Sequence, residues 1–235
     1  MSINHLGRGL PRPLRAVLFD VDFTLTKPGP LLGPEGYRSV GERYGLTLDP
    51  AKYGEAREAA VLDLEHHPEL DHDEEIWVRF TEDIVRGMGG EGDQIRTIAE
   101  EITQGWEHSE NFELYEDTLP ALAELRKHGL RIGLVSNTGR DLDHFIRHFA
   151  LDVDAWISSG THGKVKPSPT IFRVVLEMLE VEAAEAVMVG DSIADDVEGA
   201  EALGMRAFLV DRDGRYADRD DALPTLLDLP AALGL

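Results

Sequence analysis

The chain has 235 residues, 42% of them hydrophobic, which is enough for one or two domains with a sizeable core. The formal net charge of -22 argues against nucleic acid or an anionic membrane as a partner, because both would be repelled, and it favours divalent cations. The absence of cysteine excludes disulfides, thiol catalysis and cysteine-based zinc sites. Because no apolar run has the length of a signal-peptide core or a membrane span, we expect a cytoplasmic protein.

The first structural signal is an apolar run, 16–19, that leads directly into Asp20 and Asp22. Such a run fits the central strand of a parallel sheet that is covered on both faces. In these sheets the chemistry lies at the carboxyl ends of the strands. Two aspartates one residue apart can point the same way, one as nucleophile or metal ligand and the other as acid and base. The alternative is an ordinary solvated turn.

A helical segment follows the two aspartates. Proline and glycine between Lys27 and Pro34 predict a break in regular structure. From 34 to 111 the apolar residues recur at helical spacing, interrupted by glycine-rich stretches, which predicts about four helices. We therefore predict an all-α cap domain, 27–114, inserted into the chain after the first strand.

Strands and helices alternate after residue 115, and several of the helices end at glycine. This order predicts an α/β fold with a doubly wound parallel sheet, formed by 1–26 together with 115–235. The predicted strands are 131–135, 155–157, 186–189 and 206–210. Polar side chains follow the strand ends, where one cleft could collect them: Asp20, Asp22, Ser136, Asn137, Lys166, Asp191, Asp195 and Asp196.

These residues resemble the four motifs of the haloacid dehalogenase (HAD) superfamily, in the subgroup whose helical cap follows the first motif. The matching segments, in order, are Asp20-Val21-Asp22-Phe23-Thr24, Val135-Ser136-Asn137, Lys166-Pro167, and Gly190-Asp191-Ser192 through Asp196 to Ala200. The resemblance implies a Rossmann-like core. One departure is Phe23, where members of the family commonly have glycine.

The resemblance also implies roles for individual residues. Asp20 corresponds to a nucleophile that becomes an aspartyl phosphate, and Lys166 to the lysine that neutralises the nucleophile and the phosphoryl oxygens. Mg²⁺ would be held by Asp20, Asp191 and the backbone carbonyl of Asp22. The remaining predicted roles are support of the metal site by Asp196 and Asp195, and phosphoryl binding by Ser136 or Thr138, Asn137 and nearby backbone amides.

Asp22 separates the possible activities. A phosphatase needs an acid and base beside its nucleophile, whereas a departing halide does not. The dehalogenases of the superfamily lack the second aspartate. The resemblance therefore implies a magnesium-dependent phosphatase that acts on a small phosphorylated metabolite. The alternatives are a sugar-phosphate phosphomutase, a haloacid dehalogenase and a catalytically idle binding protein. The oligomeric state stays open.

Other residues have a structural and a functional interpretation. We expect Lys164 to be a solvated loop residue, and Trp77 and Trp106 to pack rather than to stack on substrate. Arg43 and Arg57 could reach a substrate anion, and Lys52 could form a Schiff base. A second metal site is the less favoured interpretation of a charged stretch that contains His66, His67, Asp71, His72, Asp73, Glu74 and Glu75.

Overall fold

The computed structural model describes residues 13–65 and 71–235. The strands in this part of the chain are β1 (Ala16–Phe19), β2 (Thr26–Pro28), β3 (Phe112–Leu114), β4 (Arg131–Ser136), β5 (Ala155–Ser158), β6 (Ala186–Gly190), β7 (Arg206–Val210) and β8 (Ala222–Leu223). The helices are α1 (Pro34–Arg43), α2 (Tyr53–Glu65), α3 (Glu74–Gly87), α4 (Ile95–Gly105), α5 (Thr118–Lys127), α6 (Leu142–His148), α7 (Ser159–His162), α8 (Pro169–Met178), α9 (Gly199–Glu201) and α10 (Leu229–Leu233).

A six-stranded parallel sheet in the order β5-β4-β1-β6-β7-β8 forms the core. β1 lies inside this sheet, with Ala16 opposite Arg131 of β4 and Ala186 of β6. Successive side chains of a strand point to opposite faces. Val17 and Phe19 therefore pack in one hydrophobic cluster with α5 and α6, whereas Ala16 and Leu18 pack in a second cluster with α8. Burial on both faces explains why β1 is apolar throughout.

The strand order reverses beside β1. The chain passes from β1 to β4 and β5 on one side and then returns to β6, β7 and β8 on the other. In a doubly wound sheet, a crevice opens outside the carboxyl ends of the strands where this reversal occurs. The predicted fold class is confirmed, and the reversal brings the ends of β1, β4 and β6 to one crevice.

The cap helices α1 to α4 surround a separate apolar cluster that includes Tyr37, Ile84, Val85 and Ile98. The four predicted helices are present, and short strands also lie at the two ends of the predicted cap segment, 27–114. β2 and β3 pair as an antiparallel ribbon, with Thr26 opposite Leu114, and this ribbon connects the cap to the core. The domain boundaries stay predictions.

The predicted break in regular structure between Lys27 and Pro34 is present at residues 29–33, with a proline on each side of it. Pro28 ends the short strand β2, at a ribbon edge where its missing N–H does not interrupt a longer ladder. Pro34 is the first residue of α1, where the backbone N–H has no partner within the helix and the fixed φ of proline suits the helix. Proline therefore marks the ends of two elements here.

Three smaller features were not predicted. β8 adds an edge strand after the expected last strand, and its two residues are too few to show periodicity. α7 interrupts the predicted loop 158–169, where the Ser158 hydroxyl accepts a hydrogen bond from the Thr161 amide. A π-helical turn, Ile193–Glu198, begins the segment that was predicted to be an ordinary helix. Among the described residues, none of the helices is both long and apolar enough to cross a membrane.

Candidate active site

Asp20 follows β1 directly and lies almost fully buried at the floor of a cavity of about 780 Å³. Its Oδ1 accepts a hydrogen bond of 2.6 Å from Nζ of Lys166, which is only 3% exposed. The same ammonium donates to Oδ1 of Asp196, also at 2.6 Å. A buried cation therefore lies between two carboxylates, which supplies the local positive charge that the net charge of the chain lacks.

Asn137 holds the lysine segment in place. Its Oδ1 accepts from the backbone amide of Lys166 at 2.7 Å, and its Nδ2 donates to the Lys166 carbonyl at 3.3 Å and to Oδ2 of Asp195 at 3.2 Å. These hydrogen bonds connect the loop after β4 to the segment that carries Lys166. Asn137 was predicted to bind substrate, but in these contacts its side chain orients the lysine.

Three carboxylates converge at the ends of β1 and β6. Oxygens of Asp20, Asp191 and Asp196 lie within 4.8 Å of one another. Asp196 approaches closely because Gly190 has no side chain, since a Cβ there would lie 2.1 Å from an Asp196 oxygen. Both Asp196 oxygens already accept hydrogen bonds, from Lys166 and from the Ser192 amide. This suits Asp196 to supporting the site, and leaves Asp20 and Asp191 as the freer oxygen donors.

Burial raises the pKa of two of these carboxylates, Asp20 and Asp191. It raises the pKa of Asp20 to about 7, with Lys166 opposing the rise and Asp196 adding to it. Burial and the charges of Asp20 and Asp196 also raise the pKa of Asp191 well above its ordinary value. For Lys166, burial lowers the pKa, but Asp196 and Asp20 outweigh it and the pKa lies above its ordinary value. With all three carboxylates ionised and Lys166 as their cation, the group is two positive charges short of balance, which fits a divalent cation.

The last residue of β4 places a free hydroxyl in the cavity. Ser136 is fully buried, lines the cavity, and its Oγ has no hydrogen-bond partner among the described residues. Thr138 also lines the cavity, but its Oγ1 accepts from the Arg140 amide at 3.2 Å. Of the two predicted hydroxyl donors, Ser136 is thus the unengaged one.

Asp22 lines the same cavity, but its carboxylate binds a residue that sequence analysis missed. Nη2 of Arg140 donates to both Asp22 oxygens, at 2.7 and 2.6 Å. Thr26 Oγ1 donates a longer bond of 3.3 Å to Oδ1. The only sequence signal for Arg140 is its place directly after the small polar loop 136–139.

The cap supplies an aromatic wall to the cavity. Trp77 and Trp106 both line it. The ring centre of Trp77 lies 6.2 Å from that of Phe80, and the ring centre of Trp106 lies 5.5 Å from that of Phe112. They therefore make the predicted packing contacts and also face the cavity. Phe23, at a φ of 65°, has the left-handed backbone that favours glycine. Its ring lies 4.0 Å below the Arg57 guanidinium, which also lines the cavity.

The remaining candidates lie away from the carboxylates of Asp20, Asp191 and Asp196. Arg43 pairs with Glu101 on the cap surface, and Lys52 is exposed in a 3₁₀ turn and does not line the cavity. Lys164 is largely exposed as expected, but it pairs with Asp71 of the cap.

The less favoured interpretation of the charged stretch from His66 to Glu75, a second metal site, gains little support. His66 and His67 lie outside the described residues. Nδ1 of His72 lies 2.8 Å from Ser159 Oγ, Asp73 accepts from the Glu75 amide at the start of α3, and Glu75 pairs with Arg96. In the part of the chain that the structure describes, the acidic group at Asp20 is the one that could hold a metal.

Comparison with known proteins agrees with this geometry. The sequence profile of the haloacid dehalogenase-like hydrolase family matches residues 14–204. Haloacid dehalogenase-like hydrolase domain-containing protein 3 of Danio rerio is 30% identical over 242 residues, which cover 94% of this chain and 97% of that protein. The glyceraldehyde 3-phosphate phosphatase of Methanopyrus kandleri is 29% identical over 237 residues, 94% of this chain and 95% of that protein.

Solved structures show the same architecture. The crystal structure of a HAD phosphatase from Thermococcus onnurineus superposes with a TM-score of 0.62 at 29% identity, covering 94% of this chain and 98% of that one. The predicted resemblance to a phosphatase-type enzyme of this superfamily is confirmed at the level of the family. The chain belongs to the haloacid dehalogenase-like hydrolases.

Proposed function

We propose that the protein is a magnesium-dependent hydrolase of small phosphate monoesters that works through an aspartyl-phosphate intermediate. One arrangement carries this proposal: Asp20 lies at the floor of the cavity with Lys166 2.6 Å from one of its oxygens and oxygens of Asp191 and Asp196 within 4.8 Å. Two of the similar proteins reported above are named as phosphatases, which supports the same reaction class.

The donor set fits magnesium. It consists of carboxylate oxygens, which this hard cation prefers, and the cation paired with these carboxylates is Lys166, which leaves an excess of negative charge. Asp20, Asp191 and the backbone carbonyl of Asp22 would hold the ion, and Asp196 and Asp195 would support them. When bound, magnesium supplies positive charge that reduces the repulsion between a carboxylate nucleophile and a phosphate dianion.

In the first step, Asp20 attacks phosphorus and the ester oxygen leaves with a proton from Asp22. In the second step, water attacks the aspartyl phosphate, Asp22 accepts a proton from that water, and inorganic phosphate leaves. Lys166 and the Ser136 hydroxyl stabilise the phosphoryl oxygens, and Asn137 keeps Lys166 in place. Each bond that forms or breaks is thus assigned to a residue that lines the cavity.

A panel of phosphorylated metabolites tests the proposal directly. Release of inorganic phosphate is measured with and without magnesium for phosphoglycolate, sugar phosphates and nucleoside monophosphates. A hydrolase releases phosphate from at least one of them. A phosphomutase returns the phosphoryl group to sugar, which appears as an isomeric sugar phosphate. If no phosphoryl transfer occurs with any substrate, the catalytic proposal is wrong.

Metal removal should abolish activity and change stability in a pH-dependent way. Asp20 has a raised pKa, from 3.8 to about 7, so the metal-free fold loses stability as pH rises through this interval. Magnesium offsets the ionised carboxylates, whereas at low pH it competes with protons. We therefore expect magnesium to raise the melting temperature more at pH 8 than at pH 5, as measured by thermal unfolding. Full activity in excess chelator, or an equal shift at both pH values, would contradict this.

Asp22→Asn should slow alkyl phosphates selectively. Loss of the acid should lower the rate of hydrolysis by roughly 10²–10⁴-fold when the leaving group is a poor alkoxide. An aryl phosphate with a nitrophenolate leaving group needs less protonation, so Asp20 should still be phosphorylated. Because water activation is also impaired, rapid mixing should show a burst of nitrophenol equal to the enzyme concentration, followed by slow turnover. Equal slowing of both substrates without a burst, in a folded variant that binds magnesium, argues against Asp22 as acid and base.

A further inference from the structure

Arg140 is a charged side chain that is buried almost as completely as a core leucine. It is 1% exposed, and its guanidinium stacks 3.8 Å from the ring centre of Phe112 and 5.1 Å from that of Phe145. Phe112 belongs to β3 of the ribbon, and Phe145 belongs to α6 of the core. The two rings hold the guanidinium from different elements, so its position depends on the tertiary fold.

The polar contacts of Arg140 are concentrated on Asp22. Nη2 donates to both Asp22 oxygens, whereas Nε and Nη1 are buried and have no partner among the described residues. Leaving such donors unpaired costs stability, and a well-packed apolar side chain is often at least as stabilising as a buried ion pair. Stability alone therefore gives little reason for an arginine here, and the contact with Asp22 supplies one.

Arg140 is not among the residues that line the catalytic cavity, whereas Asp22 is. The arginine therefore has no direct access to a substrate in the cavity. Its Nη2 contacts both oxygens of the cavity-lining residue Asp22. Without it, the 3.3 Å bond from Thr26 would be the remaining side-chain contact on Asp22 among the described residues.

We propose that Arg140 is a positioning residue that holds the Asp22 carboxylate in the orientation needed for proton transfer at the ester oxygen. This inference rests on the proposed phosphatase function. Proton transfer requires the donor within hydrogen-bond reach of the leaving oxygen, and small misplacements of a catalytic group cost rate. Phe112 also links this orientation to the ribbon that carries the cap, because the guanidinium rests on its ring.

Arg140→Met tests the role while keeping the fold. Methionine retains an apolar chain between the two rings, and Asp22 faces the cavity, so its carboxylate is not left in a dry interior. We expect kcat for the alkyl phosphate that the wild-type enzyme hydrolyses fastest to fall by roughly 10–100-fold, with little change in KM. The rate at which nitrophenyl phosphate phosphorylates Asp20 should fall much less.

The double variant Asp22→Asn with Arg140→Met provides the decisive comparison. If Arg140 acts through Asp22, its substitution should have almost no further effect on the rate once Asp22 is already asparagine. Arg140→Lys keeps a cation but loses the planar stack, so we expect its rate to lie between those of Arg140→Met and the wild type. If the methionine variant does not fold, the lysine variant replaces it in the same comparison with Asp22→Asn.

Arg126→Met is the matched control. Arg126 also forms ion pairs with carboxylates, Asp152 and Asp154, and does not line the cavity. Its loss should affect stability and leave the ratio of alkyl to aryl rates unchanged.

The outcomes separate the inference from the function on which it rests. Suppose that Asp22→Asn shows the leaving-group dependence. Arg140 then does not position Asp22 if Arg140→Met slows both substrates equally or raises only KM. The same conclusion follows if Arg140→Met adds its full effect to that of Asp22→Asn. If Asp22→Asn itself shows no leaving-group dependence, the proposed function fails first.

Discussion

Asp20→Asn is expected to reduce phosphate release by roughly 10⁴-fold or more, because it removes the nucleophile of the proposed reaction. The amide keeps the volume of the buried side chain, and it removes one of three carboxylates that repel one another. Lys166 retains its contact with Asp196. The variant should therefore fold, which circular dichroism and thermal unfolding would verify before the rate is measured.

Asp83→Asn is a suitable control for this substitution. The same change from aspartate to asparagine can be made at Asp83 on the surface of α3. Asp83 pairs with Arg86, and its side chain is 46% exposed. The rate of the Asp83→Asn variant should stay within a factor of about two of the wild-type rate, as is usual for surface substitutions. An Asp20→Asn variant that keeps more than a few per cent of the wild-type rate would show that another group attacks phosphorus.

Lys166→Met is expected to lower kcat by roughly 10²–10³-fold, the usual cost of losing one preorganised electrostatic contact in a transition state. It should also destabilise the metal-free protein by about 3–5 kcal/mol, because Asp20 and Asp196 would lose their shared buried cation. Magnesium should restore part of this stability by replacing the missing positive charge. Steady-state kinetics and denaturant unfolding, each with magnesium and with chelator, measure the two effects.

Lys164→Met controls for the loss of a positive charge from the same loop. Lys164 lies two residues away, its side chain is 45% exposed, and it pairs with Asp71 of the cap rather than with the carboxylates at the cavity floor. Its substitution should change kcat by no more than a few-fold. Similar losses in the two variants would point to a general effect of loop charge instead of the contact between Lys166 and Asp20.

Most of the core and the residues of the cavity floor were predictable from the sequence. An unbroken apolar strand is typical of a sheet covered on both faces, and β1 is buried throughout. Because parallel strands end at one edge of the sheet, Asp20, Ser136 and Asp191 were expected near one another, and each lines the cavity. These inferences depend on local periodicity and on a general property of parallel sheets.

The roles that depend on contacts between distant segments were not predictable. Arg140 reaches Asp22 across 118 positions of the chain and rests on rings from β3 and α6. The ribbon of β2 and β3 joins segments on either side of the cap, and Pro28, the last residue of β2, predicted a break there instead of a strand. Periodicity and motif spacing determined the sheet, the cap helices and the carboxylates of the cavity floor of this protein. Only the tertiary structure decided which cation faces each carboxylate, because such pairing depends on packing between segments far apart in sequence.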